Sequence, residues 1–447
     1  MLNIIRKRNP FAQKLPSPQA VERTYWRKFY GQAGRRWTLR FFLLFCFLAL
    51  FSDFLANQKP IYCELEELET GERHQFSPIL YDYAVGLGFS NWEIKWKRLN
   101  WYAPDEKQWQ YHGVIFPPIS YSAEQVDLRN PLVGPRDEQA LIGYMQPHYL
   151  GTDPLGRDLA AGLLHGCRTA LLVGLVAMSI AALIGILLGA LAGYYGDDRL
   201  YWKRAYFLAF FFGLFAFCFL AFVWGAYPLG ELLRSGNFLK AGFYLTLLGI
   251  LLAAISTLLG WGLGQLPFLS VKKRLPLDLA VMRFIELINS IPVLLLILAI
   301  LPLIKDSSIY TVMVLIGLLS WTGIAKFIRA EMLRIRALPY IEAARALGYR
   351  ELSIIWRQAL PNALPPVLIA LAFGMAAAVL TESFLSFINV GLPPEQVSWG
   401  SLLRSARDAG ISAWWLALFP GLAIFFTLSI FNLLGEGINK TLDPKEV

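Results

Sequence analysis

Histidine, cysteine and charge are scarce in this chain, and each scarcity removes a class of function. Four histidines and four cysteines occur in 447 residues. His74, His112, His148 and His165 fall in one polar region without tight spacing, and no His-Glu-x-x-His or Gly-x-Ser-x-Gly occurs. Neither a zinc hydrolase nor a serine hydrolase of those types is expected, and no catalytic residue is assigned. Cys46 and Cys218 lie inside apolar runs, while Cys63 and Cys167 flank the polar region. Their spacing suits no metal, and a Cys63–Cys167 bridge is the pairing left open. Gly435-Glu436-Gly437-Ile438-Asn439-Lys440-Thr441 has the outline of a phosphate loop but lacks the glycine before the lysine. Without it the backbone cannot cradle a phosphate. No cofactor and no ATP hydrolysis by this chain are expected.

Apolar sequence is abundant. Hydrophobic residues make up 56% and charged residues 16%, with mean hydropathy +0.47. That composition points to a polytopic membrane protein. The net charge of +9 suggests a nucleic-acid partner at first sight, but its placement argues against one. Arg6, Lys7, Arg8, Arg23, Arg27, Lys28, Arg35, Arg36 and Arg40 crowd the segment before the first apolar run, as the positive-inside rule describes. The charged lead is long and no small-residue cleavage site follows, so an uncleaved anchor is expected.

Eight spans are expected, at 39–56, 168–195, 206–228, 241–266, 284–304, 309–331, 363–389 and 414–435. With the N-terminus inside, alternation places the basic clusters around Arg199 to Arg204, Lys272 to Arg274 and the 332–362 loop on the same inner side. The expected organisation is a cytoplasmic tail 1–38, a first span 39–56, an extracytoplasmic domain 57–167, a transmembrane core 168–435 and an inner tail 436–447. The 57–167 region, with Trp92, Trp96, Trp101 and Trp109, suggests a small fold of loops and short strands. Gly185, Gly189 and Gly193 recur every four residues and predict close helix packing, with Gly260 and Gly264 a weaker version.

Within the 332–362 loop, Pro339 to Gly348 reads as a short docking helix. Pro339 suits the first helical turn, Glu342 suits the positive end of the dipole, and Gly348 can supply the left-handed residue that ends it. Ala343, Ala344 and Ala346 leave a face of little bulk for another protein to approach.

These residues carry a resemblance. Glu342-Ala343-Ala344, Gly348 and Leu360-Pro361 fall at the spacing of the EAA loop of permease subunits of ATP-driven importers, with Gln358 departing from the apolar residue of that pattern. Gly151-Thr152-Asp153-Pro154-Leu155-Gly156-Arg157-Asp158 resembles a segment of the C-type permease of dipeptide and oligopeptide importers. So do Thr169-Ala170-Leu171, Gly193-Tyr194-Tyr195-Gly196, Ser290-Ile291-Pro292 and Glu382-Ser383-Phe384-Leu385-Ser386-Phe387. The similarity covers roughly 150–204 and 276–440, and Asn57-Gln58-Lys59-Pro60 leans to the branch of microcin-type peptide permeases.

The resemblance implies an all-α polytopic protein of the bacterial inner (cytoplasmic) membrane. Its core would be a type I ABC importer permease of about six helices, here with an inserted helix pair at 205–267. It implies a homologous B-type permease, two ABC ATPase subunits and an extracytoplasmic solute-binding protein as partners, with membrane lipid around them. Glu342, Ala343, Ala344, Gly348, Leu360 and Pro361 would couple to the ATPase. A membrane-embedded enzyme and a channel or structural anchor for the outer domain are the other readings. An anchor has no use for the docking loop.

Two groups are candidates for the translocation pathway. Glu382, Ser386 and Asn389 follow i, i+4, i+7 spacing, which puts them on one helical face, and a carboxylate in an apolar span normally faces protein or water. Glu286, Asn289 and Ser290 open the fifth span, where Pro292 removes a backbone donor and favours a kink.

Overall fold

The computed structural model describes residues 32–69, 71–89, 91, 99–102, 104, 108–220, 238–304, 308–390 and 396–442. Trp92, Trp96, the basic tail to 31, the 221–228 part of the third span and residues 443–447 lie outside the described residues.

The chain begins with α1 (Ala33–Leu50) and a single helical turn, Ser52–Leu55. A small domain follows: β1 (Tyr62–Glu67), β2 (Glu72–Phe76), α2 (Pro78–Gly86) and β3 (Trp109–Ile115). The strands form an antiparallel sheet in the order β2-β1-β3. Cys63 and Leu65 point into its core with Trp101 and Trp109. Burial pushes the Cys63 thiol up to about 12. Cys63 and Cys167 are both free: one belongs to this sheet core, the other to the helix Leu159–Tyr195, in a cluster with Trp399. The bridge left open by the sequence is therefore not formed.

α3 (Leu159–Tyr195) runs for 37 residues, nine longer at its start than expected from hydropathy, so the polar region ends at 158. Its start is fixed by the Gly151–Asp158 segment. Asp153 accepts from the backbone of Leu155 and Arg157 at 2.9 Å and from Arg157 Nε at 2.7 Å. Asp158 caps the helix through Ala161 N at 2.7 Å and holds His148 Nδ1 at 2.8 Å. His148 is fully buried against Tyr121.

The inserted section comprises β4 (Tyr201–Lys203), α4 (Arg204–Cys218), α5 (Phe238–Leu263) and β5 (Lys272–Arg274). β4 and β5 pair antiparallel, and α4 packs chiefly on α5. A Cβ on Gly260 would lie 2.5 Å from the Tyr206 ring, so this glycine belongs to the α4–α5 contact.

The core continues with α6 (Leu277–Asn289), α7 (Val293–Ile300), α8 (Ile309–Ile335), α9 (Pro339–Ala346), α10 (Pro365–Phe387), α11 (Trp399–Ala409) and α12 (Trp414–Leu442). α6 and α7 meet at a 71° bend over Ser290-Ile291-Pro292. Proline disfavours helical geometry at the residue before it and lacks the N–H that would bond back. α11, with a Ser398 capping box, was not anticipated, and α12 runs seven residues past the expected span end at 435.

Among the described residues, helices α3, α5, α8, α10 and α12 are long and apolar enough to cross a membrane, and the bent α6–α7 pair is either a sixth, broken span or a re-entrant loop. The other two expected spans are α1, which carries Arg35, Arg36 and Arg40, and α4, which runs into residues outside the described set. The all-α expectation holds for the membrane part, and the two small sheets lie outside it.

The α3–α8 contact is the centre of the core. A Cβ on Gly185, Gly189 or Gly193 would meet the carbonyls of Trp321, Ala325 and Arg329 at 2.8, 2.5 and 2.5 Å. The glycine strip thus brings two backbones together, and dispersion between closely packed helices substitutes for the hydrophobic effect that lipid does not supply. Arg329 grips Asp278 with two nitrogens, tying α6 to the same end of α8.

Candidate docking and pathway sites

The docking helix forms where the sequence places it. Leu338 is extended, Pro339 opens α9, and Gly348 has φ +81°. Gly348 N donates to Arg345 O at 2.9 Å and Tyr349 N to Ala344 O at 3.2 Å. This crossed pair of bonds is the Schellman ending, which needs a left-handed residue at the Gly348 position.

The two faces of α9 differ. Ile341 and Ala344 are buried against Ile335, Ile354, Ile355 and Leu360. Glu342, Ala343 and Ala346 are exposed, and Leu347 is 77% exposed. Tyr340, Tyr349, Leu352 and Trp356 extend this apolar surface. Two expected coupling residues therefore face the chain's own interior: Ala344 and Leu360 hold the helix, while Glu342, Ala343, Gly348 and Pro361 are at the surface. Three helical pieces follow α9, namely Glu351–Ile354, a π-helical turn Ile355–Ala359 and Leu360–Ala363. Pro361 cannot donate to the Arg357 carbonyl, and the widened turn sits just before it. Asn362 Nδ2 donates to Gln358 O at 2.7 Å and to Tyr340 Oη at 3.3 Å, closing this segment onto the start of α9.

A network that the sequence did not reveal joins α9 to the end of α3. Arg345 Nε donates to Glu351 Oε1 at 2.9 Å, and Arg345 Nη2 to Tyr194 Oη at 3.1 Å. Tyr194 Oη in turn donates to Glu351 Oε2. Burial works to raise the Glu351 pKa, but the Tyr194 hydroxyl and Arg345 outweigh it and hold the carboxyl below its ordinary value. Arg336 adds bonds to Tyr194 O at 3.4 Å and Asp198 at 3.3 Å. The only advance signal was that Tyr194 lies in the Gly-Tyr-Tyr-Gly motif.

The pathway candidates separate into two groups. Glu286, Asn289 and Ser290 are exposed at the α6–α7 break. Glu286 pairs with Arg283 at 2.7 Å, and Asn289 accepts from the Thr322 hydroxyl at 3.1 Å. Glu382 and Ser386 are buried, each 2% exposed, and Ser386 donates to Glu382 at 2.6 Å. Their neighbour Ser383 packs its backbone against Gly400, so this part of α10 is covered by α11. Asn389 leaves the helical stripe altogether. It has φ +65° and ends α10, with Asn389 N donating to Ser386 O at 3.1 Å, Val390 N to Leu385 O at 2.9 Å, and Arg404 Nη1 to its side chain.

No metal ligands were expected from the sequence. Among the described residues, Glu67, Glu72 and His74 each bring one ligand atom within 4.8 Å of the others across the β1–β2 hairpin. The hairpin register, pairing Glu67 with Glu72 and Leu65 with His74, makes this group.

Residues 256–446 match the family described as binding-protein-dependent transport system inner membrane component. Nearly the whole chain aligns with a peptidoglycan transport system permease protein of Agrobacterium fabrum, 26% identical over 446 residues, covering 94% of this chain and 92% of that one. An inner membrane ABC transporter permease protein of Escherichia coli is 25% identical over 434 residues, covering 95% and 98%. A glutathione transport system permease protein of Pectobacterium atrosepticum is 27% identical over 303 residues, covering 68% and 74%. With the membrane-length helices, these similarities identify a multi-pass inner-membrane permease component of an ABC importer, a transport subunit and not an enzyme. Permeases of this kind work with an ATPase and a solute-binding protein.

Proposed function

We propose that this chain is the C-type permease of an importer for peptides or peptide-bearing solutes. It pairs with a homologous B-type permease, two ATPase subunits dock on the exposed face of α9, and a solute-binding protein delivers cargo from outside. The observation that carries this reading is the anchoring of α9: its inner face packs on Ile335 and on the segment that follows it, Arg345 ties it to Tyr194 of α3, and its outer face is apolar and open. A push on Leu347 and Tyr349 passes through Ile341, Ala344 and the Tyr194–Arg345–Glu351 network into the core helices. Glu342, Ala343, Gly348 and Pro361 are the contact residues, and Ala344 and Leu360 keep the helix seated.

Glu286, Asn289 and Ser290 line the pathway, at a helix break that is open on this chain's surface and available to the second permease. The basic clusters put α9, the β4–β5 ribbon and the N-terminal tail in the cytoplasm, and the 57–158 domain outside. A peptide-bearing cargo is common ground for glutathione and peptidoglycan fragments, the solutes named for two relatives.

Uptake into vesicles carrying the full complex tests this. ATP-dependent accumulation of a labelled tripeptide or muropeptide, lowered by Glu342→Lys, is expected. Unchanged uptake in that variant, or accumulation of neither cargo by the native complex, contradicts the reading. Cysteines placed at Arg350 and Tyr149 in a cysteine-free background test sidedness: only Tyr149→Cys should label from outside intact cells.

A further inference from the structure

The foot of the inserted hairpin carries chemistry that transport does not use. β4 and β5 set Tyr201 opposite Arg274, Trp202 opposite Lys273, and Lys203 opposite Lys272. Like charges directly opposed across a ribbon are destabilising unless something neutralises them. Lys272, Lys273 and Arg274 are all exposed, and Arg204 begins the adjoining helix. Among the described residues, none of these five cations has a side-chain hydrogen bond or ion pair, and Arg204 Nε is buried without a partner.

Two cavities meet at this place. One of about 400 Å³ is lined by Trp202, Arg204, Phe207, Phe268, Lys273 and Arg274. The other, of about 370 Å³, lies between α4 and α5 and is lined by Trp202, Phe210, Gly249, Leu252 and other uncharged residues. Trp202 borders both, so a cationic pocket adjoins an apolar groove at the end of two membrane-type helices. Aromatic side chains favour that depth in a bilayer.

We propose that these two cavities, on either side of Trp202, bind one anionic phospholipid of the surrounding leaflet. Arg204, Lys273 and Arg274 hold its phosphate, and an acyl chain lies in the groove past Phe210 and Leu252. Guanidinium groups match phosphate geometry with paired donors, and basic pockets beside membrane helices recognise anionic headgroups. This inference rests on the hairpin alone and stands whatever the cargo.

The test uses the full chain purified with its partner subunits in mild detergent. Native mass spectrometry and thermal unfolding are followed with phosphatidylglycerol, phosphatidylcholine or inorganic phosphate added. Phosphatidylglycerol is expected to be retained and to stabilise, and the other two are not. Combining Arg204→Gln, Lys273→Gln and Arg274→Gln should weaken retention roughly a hundred-fold, at about five-fold for each cation near a membrane surface. Gly249→Leu keeps the cations and fills the groove. A Cβ there meets only Phe217 at 3.7 Å, so folding is preserved, and retention should fall more than ten-fold. Equal phosphatidylglycerol retention by the native chain and either monodisperse variant overturns the proposal. So does equal binding of phosphatidylcholine, or equal stabilisation by inorganic phosphate alone. If the triple variant does not fold, Gly249→Leu decides.

Discussion

Gly348 and Arg345 hold α9 in place, one by ending the helix and the other by tying it to Tyr194. At φ +81° a β-branched side chain costs about 1–3 kcal/mol, so Gly348→Val should undo the crossed hydrogen bonds that end the helix. Purified Gly348→Val is expected to lose the ATPase in pull-downs or to hydrolyse ATP without uptake, and Glu342→Lys to do so less severely; normal pull-down with normal uptake would contradict this. Arg345→Ala leaves the docking surface in place but cuts α9's own bond to Tyr194, leaving only the one from Glu351. It should retain the ATPase and lower uptake per ATP hydrolysed. The depressed Glu351 pKa gives the tether a pH sign. Its stabilisation is complete above the ordinary glutamate value of about 4.3 and is lost as pH falls through the lower folded value. Hydrogen exchange at Tyr194 to Tyr195 should therefore rise on acidification below that point in the native chain, and Glu351→Gln should remove the change.

Elements with local punctuation were legible from sequence, and those made by distant contacts were not. α9 is written in Pro339, Gly348 and the spacing between them, and the α6–α7 break in Pro292. The α3 glycine strip announced a packed face, though not that α8 would fill it. By contrast, i, i+4, i+7 spacing extended the α10 stripe one turn too far. Asn389 tolerates the left-handed conformation and ends the helix there, which no periodicity reports. Glu382 lies on the predicted face, but α11 covers it, and nothing in the sequence foretold that cover. Tyr194 and Glu351 are 157 residues apart, so their bond has no signature in spacing. The inserted hairpin is a separable element: Arg204 N and Ala205 N donate to Val271 O and Leu269 O at 3.1 and 3.2 Å, so its two ends already touch. Replacing 205–267 by a short loop should leave ATPase association intact in a size-exclusion and pull-down assay, whereas loss of assembly in a well-expressed deletion would make the hairpin part of the core.

At the scale of the molecule, one long axis, α3, runs the length of the core. The Gly151–Asp158 turn caps α3 at one end, the glycine strip binds it to α8, and Tyr194 at its other end is held by the docking segment. On the proposed function, a displacement of α9 would reach the length of the core through a helix that is fixed at both ends. Composition and charge placement made the membrane class legible, and the EAA spacing made the short helix α9 legible. The small outer sheet and its Glu67–Glu72–His74 group depended on strand register that the sequence did not announce. The central claim is that an ATPase sits on the open face of α9, and site-specific photocrosslinking in intact cells measures it directly. A photoreactive residue at Ala343 or Leu347 should form an adduct that mass spectrometry identifies as an ABC ATPase, and one at Tyr310, at the opposite end of α8, should not. Absence of an ATPase adduct from both α9 positions in a transport-competent complex would contradict the account.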